Sequence, residues 1–262
     1  MHEPSVTIVL VHGAFTDASV WHGVIAELQR RGYRAVAPAM PMRGLASDVA
    51  YLHSILMSIE GPVILAGHSH GGSVISQPDA LSPAVRGVVF IAAFQQAAGE
   101  TARELNYRFH GSKITPDVTV FCEYPGGNDM YLAPEHFAEI YAADLDPALS
   151  KVMAVAQHPI DPTVLDETFS GVASWAFLPS WALVATADES IPTECQRFMV
   201  TRAGSTIVEV NSSHAVPIAH PIETADVIYV SGDDAVLKLQ DGSLLDVPAG
   251  TPFSVNGKPA KV

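Results

Sequence analysis

Short apolar runs alternate with stretches of helical periodicity over most of the chain. Runs of four to seven mostly apolar residues are typical of strands buried on both faces of a parallel sheet. They are Val6–Val11, Arg34–Pro38, Val63–Ala66, Val88–Phe94, Trp181–Thr186 and Thr206–Val210. The stretches 18–33 and 45–61 predict helices that stop at Gly32 and at Gly61-Pro62. The pattern predicts an α/β fold with a mostly parallel sheet of about six strands flanked by helices.

The spacing breaks in the middle of the chain, where about 85 residues separate two predicted strands, too many for one crossover. Residues 118–133 predict a hairpin around Pro125-Gly126-Gly127, and residues 134–157 predict one or two helices with a break at Pro147. An insertion here would lie over the carboxyl ends of the strands, where open α/β sheets bind ligands. We expect residues 1–98 and 172–230 to form the core and residues 99–171 a cap.

The last part of the chain, residues 231–262, follows neither pattern. Asp241-Gly242 and Asn256-Gly257 each stand between apolar segments, as the turn residues of β-hairpins do. We expect a β-rich extension that serves as a structural appendage or as a contact in a homodimer.

A Gly-x-Ser-x-Gly pattern occurs at residues 67–71. The pattern alone is weak evidence, but it follows the predicted strand "VILAG" and precedes the predicted helix "GGSVIS". This strand–turn–helix context is typical of a nucleophile elbow, which exposes a serine hydroxyl and directs helix N–H groups at a developing anion. Ser69 is therefore the predicted nucleophile. Pro78 and Pro83 predict that the following helix is short.

A serine nucleophile needs a base and a carboxylate that orients the base. His214 lies in the loop after the last predicted strand of the sheet, and Asp188 follows the preceding one. His220 is the second choice as base, and Glu189 could replace Asp188. The chain order serine, aspartate, histidine is that of α/β hydrolases.

The oxyanion hole requires two backbone N–H donors. One is expected from His70, and the other from "VHGAF" after the first strand, with Ala14 preferred to Phe15. Arg43 and Arg108 are candidates for binding a carboxylate. An apolar substrate pocket is expected to be lined by bulky side chains of the first loop and the insertion, namely Phe15, Trp21, Tyr124, Met130, Phe137 and Trp175.

The net charge of −14 argues against nucleic acid or an anionic membrane as a partner. The two cysteines, Cys122 and Cys195, cannot form a disulfide framework and fit a reducing compartment. The N-terminus shows no signal-peptide pattern, and the longest apolar run is far short of the roughly 20 residues of a membrane span. We expect a soluble, cytoplasmic protein.

The segments "TIVLVHGAFTDASVW", "GHSHGG", "ATADESIP" and "SSHAVPIAHP" resemble the α/β-hydrolase superfamily. The resemblance covers residues 5–228 and is closest to compact bacterial relatives of plant methyl-ester esterases and hydroxynitrile lyases. It implies a serine hydrolase with a small helical cap, no metal and no cofactor. The lyases of this group carry threonine and lysine where this chain has Gly13 and Ala215, which places it on the esterase side. His70 occupies a position that is often apolar in the plant relatives.

The sequence thus predicts hydrolysis of small, largely apolar carboxylic esters through an acyl-enzyme. Lactone, thioester or carbon–carbon bond hydrolysis, or a lyase reaction, could use the same three residues. A ligand-binding protein with little turnover, or an interaction module built on the tail after Ser231, is the alternative outside catalysis.

Overall fold

A computed structural model describes residues 6–231, 234–238, 244–248, 254–255 and 258–259. Eight strands precede the C-terminal extension: β1 Thr7–Val11, β2 Arg34–Val36, β3 Val63–His68, β4 Val85–Ile91, β5 Thr119–Tyr124, β6 Gly127–Leu132, β7 Ser180–Ala185 and β8 Thr206–Val210. The α-helices are α1 His22–Arg30, α2 Leu45–Leu56, α3 His70–Ser76, α4 Ala102–Arg108, α5 Pro134–Tyr141, α6 Pro147–Val155, α7 Thr193–Ala203, α8 Val216–Ala219 and α9 Pro221–Ile228.

Six strands form a parallel sheet in the order β2-β1-β3-β4-β7-β8. Each pair of neighbours runs in the same direction, so all six carboxyl ends meet at one edge. The predicted α/β fold and the strand count are confirmed. The apolar runs located every strand of this sheet, with differences of a few residues at the ends.

The sheet separates two apolar layers, because successive side chains of a strand point to opposite faces. Ile8 and Leu10 of β1 pack in one layer with residues of α1 and α9. Val9 and Val11 pack in the other, with residues of α2, α3 and α5. Both faces are covered, which explains why these strands read as continuous apolar runs.

The insertion between β4 and β7 contains the predicted hairpin and three α-helices, of which α5 and α6 were predicted and α4 was not. β5 and β6 pair antiparallel, with Tyr124 opposite Gly127, so the connection is Pro125-Gly126 and one residue shorter than predicted. Gly126 has φ 112°, a conformation that favours glycine in such a turn. Pro147 occupies the first position of α6, so α5 and α6 are separate helices. The division into core 1–98 and 172–230 and cap 99–171 stays a prediction.

The C-terminal extension is β-structured where the structure describes it. β9 Val230–Ser231, β10 Asp234–Lys238 and β11 Leu244–Pro248 form an antiparallel sheet, and β12 Ser254–Val255 pairs with β13 Lys258–Pro259. The predicted turn residues Asp241-Gly242 and Asn256-Gly257 lie outside the described residues. Within the described part of the chain, no helix is long and apolar enough to cross a membrane.

Candidate active site

Ser69 occupies a strained turn between β3 and α3. Its backbone has φ 54° and ψ −123°, a combination that non-glycine residues adopt only where the surrounding structure enforces it. The flanking glycines permit the turn, because a Cβ on Gly67 would lie 2.6 Å from the carbonyl oxygen of Gly71. A Cβ on Gly13 of the facing loop would lie 3.1 Å from Ser69 Oγ. The sequence therefore brings small residues around the hydroxyl, and Ser69 is largely buried at the wall of a cavity.

A buried imidazole–carboxylate pair lies at the same edge of the sheet. His214 Nδ1 is 2.7 Å from Asp188 Oδ2, and both side chains are almost completely inaccessible to solvent. Asp188 follows β7, His214 follows β8 and Ser69 follows β3, so the shared strand direction places all three side chains at this edge. The alternatives point elsewhere: Glu189 pairs with Lys113 at 2.6 Å, and His220 faces Glu223 at 3.6 Å.

Asp188 accepts hydrogen bonds on both oxygens. The N–H groups of Ser190 and Ile191 donate to Oδ1 at 2.7 and 3.0 Å, and Gln196 Nε2 donates to Oδ2 at 2.8 Å. Gln196 Oε1 in turn accepts the N–H of Ala185 at 3.0 Å. These bonds fix the orientation of the carboxylate that contacts His214.

Two aromatic rings enclose His214. The His68 ring centroid is 4.8 Å from that of His214, and His68 Nε2 donates to the His214 carbonyl oxygen at 2.9 Å. Burial and the neighbouring His214 hold the pKa of His68 well below its usual value, so His68 is neutral. The Tyr141 ring meets the His214 ring edge-on at 4.8 Å, and burial raises the pKa of Tyr141 well above its usual value.

The end of α5 holds the loop that carries His214. Asp144 accepts the Ser212 hydroxyl at 2.7 Å, the Ser213 N–H at 2.9 Å and the Ser213 hydroxyl. The carbonyl oxygen of Tyr141 accepts the N–H of Ala215 at 2.9 Å. The insertion thus holds the residues before and after His214, and so determines the position of the imidazole.

The loop after β1 is fixed by a buried histidine. His12 Nε2 accepts the N–H of Met40 at 2.8 Å, so Nδ1 carries the proton and donates to the Gly13 carbonyl at 2.9 Å. Burial lowers the pKa of His12 to about 4, which keeps the ring neutral. The loop continues into Ala14, which faces Ser69 and His70 across one cavity. The N–H groups of Ala14 and His70 have no acceptor among the described residues.

A cavity with about 810 Å³ of empty space, partly open to solvent, contains Ser69 and His214 in its wall. The apolar part of the wall comes from the loop after β1, the end of β4 and the insertion, and includes Phe15, Phe94, Ile114, Phe121, Met130 and Leu165.

The model of the α/β hydrolase family matches residues 8–227. The chain belongs to the α/β hydrolase family. The resemblance drawn from the sequence is therefore confirmed, and this α/β hydrolase is an enzyme of the hydrolase class.

Relatives include esterase PIR7B of Oryza sativa subsp. japonica, 26% identical over an alignment of 249 residues that spans 84% of this chain and 93% of the relative. The pyrethroid hydrolase of Sphingobium wenxiniae is 35% identical over 110 residues, 36% of this chain and 38% of the relative. The crystal structure of polyneuridine aldehyde esterase superposes with a TM-score of 0.71 at 19% identity, covering 86% of this chain and 98% of the other. That of a pyrethroid hydrolase from Sphingobium faniae gives 0.66 at 23% identity, covering 85% and 96%. These structural likenesses support the fold.

In this α/β hydrolase, two of the six predicted pocket residues, Phe15 and Met130, lie in the cavity wall. Trp21 and Phe137 do not, and the prediction for them is corrected. Trp21 is completely buried in the layer that contains Ile8 and Leu10, and Phe137 in the layer of Val9, where it stacks on Tyr141 at 5.0 Å between ring centroids. Both rings are part of the hydrophobic core.

Tyr124 and Trp175 also lie away from the cavity wall, because each serves another contact. The Tyr124 ring lies under the Arg43 guanidinium at 4.6 Å, and Trp175 Nε1 donates to the Gln96 carbonyl at 3.0 Å. The two arginines proposed for a carboxylate are paired within the protein, Arg43 with Asp129 and Arg108 with Glu100. The arginine in the cavity wall is Arg103, which is itself paired with an aspartate.

Sequence reasoning missed the side chains that support the site. Asp144 and Tyr141 lie far along the chain from the His214 loop that they contact, and Gln196 lies one helix turn inside α7, close in sequence to Asp188. Nothing in the local sequence marks any of the three. His12 and His68 offered a signal, since each is a histidine at the end of an apolar strand where an apolar residue would be expected.

Proposed function

We propose that the chain is a carboxylesterase that hydrolyses small, largely apolar esters through an acyl-enzyme on Ser69. The observation that carries the proposal is the 2.7 Å contact between His214 Nδ1 and Asp188 Oδ2, beside a cavity whose wall contains both His214 and Ser69. A serine in a strained elbow with such a pair beside it is the arrangement required for acyl transfer. The relatives named as esterases support the same reaction class.

In the proposed mechanism, His214 Nε2 accepts the proton of the Ser69 hydroxyl as Oγ attacks the ester carbonyl carbon. Asp188 stabilises the imidazolium and keeps Nδ1 as the nitrogen that faces the carboxylate. The N–H groups of Ala14 and His70 donate to the oxyanion of the tetrahedral intermediate. His214 then protonates the departing alkoxide, and the acyl group stays on Ser69.

Deacylation repeats these steps with water. His214 removes a proton from the attacking water, the second tetrahedral intermediate collapses, and the Ser69 oxygen leaves as it regains the proton from His214. The carboxylic acid and the alcohol are the products.

The substrate class follows from the cavity wall. Phenylalanine, isoleucine, leucine and methionine side chains form most of it. Since Arg103 is paired, the wall favours uncharged acyl groups. Gly13 and Ala215 support ester hydrolysis rather than cyanohydrin cleavage, because they supply neither the hydroxyl nor the ammonium of the similar lyases.

The test is hydrolysis of p-nitrophenyl esters, from acetate to octanoate, by the wild type, Ser69→Ala and Ser73→Ala. Ser73 is a matched control, because it lies one turn further along α3 and its buried hydroxyl has no partner among the described residues. We expect Ser69→Ala to lower kcat by about 10⁴-fold or more, and Ser73→Ala to keep wild-type turnover. Comparable turnover by Ser69→Ala and wild type would refute the mechanism. The chain-length profile of the wild type measures the acyl pocket.

A further inference from the structure

The polar side chains in the cavity wall fall into two groups. Most have their hydrogen bonds within the protein: the hydroxyls of Tyr107, Ser190 and Thr119 donate to backbone carbonyls at 2.9, 3.1 and 3.2 Å. Apart from the proposed nucleophile, the buried polar atoms of the wall that lack a partner among the described residues are both ring nitrogens of His70 and Oδ1 of Asn106.

His70 is buried with neither ring nitrogen hydrogen-bonded to a described residue. Its side chain is 1% exposed, and burial together with the neighbouring His12 lowers its pKa to about 4. At neutral pH the ring is therefore uncharged and offers one N–H donor and one nitrogen acceptor. Native proteins seldom bury such groups without partners, so both unpartnered ring nitrogens call for an explanation, such as a bound molecule.

The position of His70 indicates which part of a substrate its ring would meet. Its own N–H is the proposed donor to the carbonyl oxygen, and His70 lies in the wall of the cavity that contains Ser69. The alcohol must instead approach His214, which protonates it. The rings in contact with His214 are those of His68 and Tyr141, and the His70 ring is not among them.

We propose that His70 is a specificity-determining residue, and that its ring binds a hydroxyl group carried by the acyl part of the ester, close to the carbonyl. This inference rests on the proposed ester hydrolysis. A hydroxyl can accept from the imidazole N–H or donate to the other ring nitrogen, one of the two at a time, and the rest of the wall accommodates the apolar remainder of the acyl chain. Asn106 Oδ1 is a second acceptor for the hydroxyl proton, because Asn106 Nδ2 is already bonded to Ser112 Oγ at 2.9 Å.

The experiment compares kcat/KM for methyl butanoate, methyl 2-hydroxybutanoate and methyl 3-hydroxybutanoate, followed by acid release. The wild type should prefer one hydroxy ester by about tenfold, the discrimination that one well-formed hydrogen bond provides. In His70→Leu that ratio should fall to about one, since leucine has similar bulk and no polar atom. His70→Gln, which restores a donor and an acceptor, should recover part of the preference. His22→Leu, a change at an exposed histidine outside the wall, should keep the wild-type ratio.

A second measurement separates recognition from turnover. Ser69→Ala should bind the preferred hydroxy ester several-fold more tightly than methyl butanoate, and the double variant with His70→Leu should bind both equally. If the wild type cleaves all three esters at one rate while Ser69→Ala is inactive, the proposed function stands and the role of His70 is wrong. A preference that survives in His70→Leu would also overturn it. If the wild type cleaves none of the esters and Ser69→Ala binds none, the proposed function and this inference fail together.

Discussion

Gln196 provides a sharp test of how the proposed catalytic pair is held. Its amide connects three groups at 2.8–3.0 Å: it donates to Asp188 Oδ2 and to the Ile191 carbonyl, and it accepts the N–H of Ala185. Gln196→Met removes all three hydrogen bonds while keeping the length and approximate volume of the side chain. The change therefore tests the bonds rather than the packing.

The size of the effect follows from the groups left behind. Gln196 and Ala185 are completely buried, so neither the Ala185 N–H nor the Ile191 carbonyl can turn to water. Each buried group without a partner costs about 1–3 kcal/mol, and Asp188 also loses one donor. We expect the free energy of unfolding to fall by roughly 3–5 kcal/mol. Since Asp188 keeps its two backbone donors, kcat should fall by only about 10–100-fold, far less than in Asp188→Ala.

The assay combines urea unfolding with steady-state hydrolysis of the best p-nitrophenyl ester. A positioning role predicts a lower kcat with nearly unchanged KM, because Gln196 does not lie in the cavity wall. Gln29→Met on the exposed face of α1 is the matched control and should change neither quantity. Wild-type stability together with wild-type kcat in Gln196→Met would refute the reasoning.

Two substitutions and one pH titration test the electrostatics. Asp144→Ala should lower kcat about tenfold and stability by roughly 1–2 kcal/mol, as measured by ester hydrolysis and urea unfolding. Partial burial alone would raise the pKa of Asp144, but hydrogen bonds from Ser213 and Ser212 lower it, so the stability it contributes is present above pH ~3.9 and lost below. Burial raises the pKa of Asp48 to about 6, so the ionisation of Asp48 destabilises the fold as the pH rises from 3.8 through 6. Asp48→Asn should therefore raise the free energy of unfolding by about 1–3 kcal/mol at pH 7. Burial lowers the pKa values of His12 and His70 from 6.5 to about 4. The free energy of unfolding should therefore fall as the pH drops from 6.5 to 4, by up to about 1.4 kcal/mol per pH unit for each histidine. A free energy of unfolding that does not change between pH 7 and pH 5 would contradict this.

The strands of the sheet could be predicted from the sequence, because buried parallel strands leave continuous apolar runs. The candidate site residues that follow those strands could be predicted with them. Thr206–Val210 coincides with β8, and the predicted site residues Ser69, Asp188 and His214 each come within a few residues of the end of such a run. Parallel strands bring those positions to one edge whatever the intervening sequence, so no knowledge of long-range contacts was needed.

The cavity wall could not be predicted in the same way. Trp21 and Phe137 are bulky and near the motifs, but an aromatic side chain reads alike whether it faces a core layer or a cavity. Tyr124 and Trp175 are occupied by Arg43 and Gln96, partners far along the chain. Which residue meets which across the insertion is decided by packing, and sequence periodicity carries no information about it.

The most direct measurement of the central claim is mass spectrometry of the protein quenched with acid during turnover of a p-nitrophenyl ester. The account predicts a mass increase of one acyl group, located on the peptide that contains Ser69 and absent in Ser69→Ala. An acyl group on a different residue, or steady turnover by the wild type with no adduct on Ser69 even when deacylation is made rate-limiting, would contradict it.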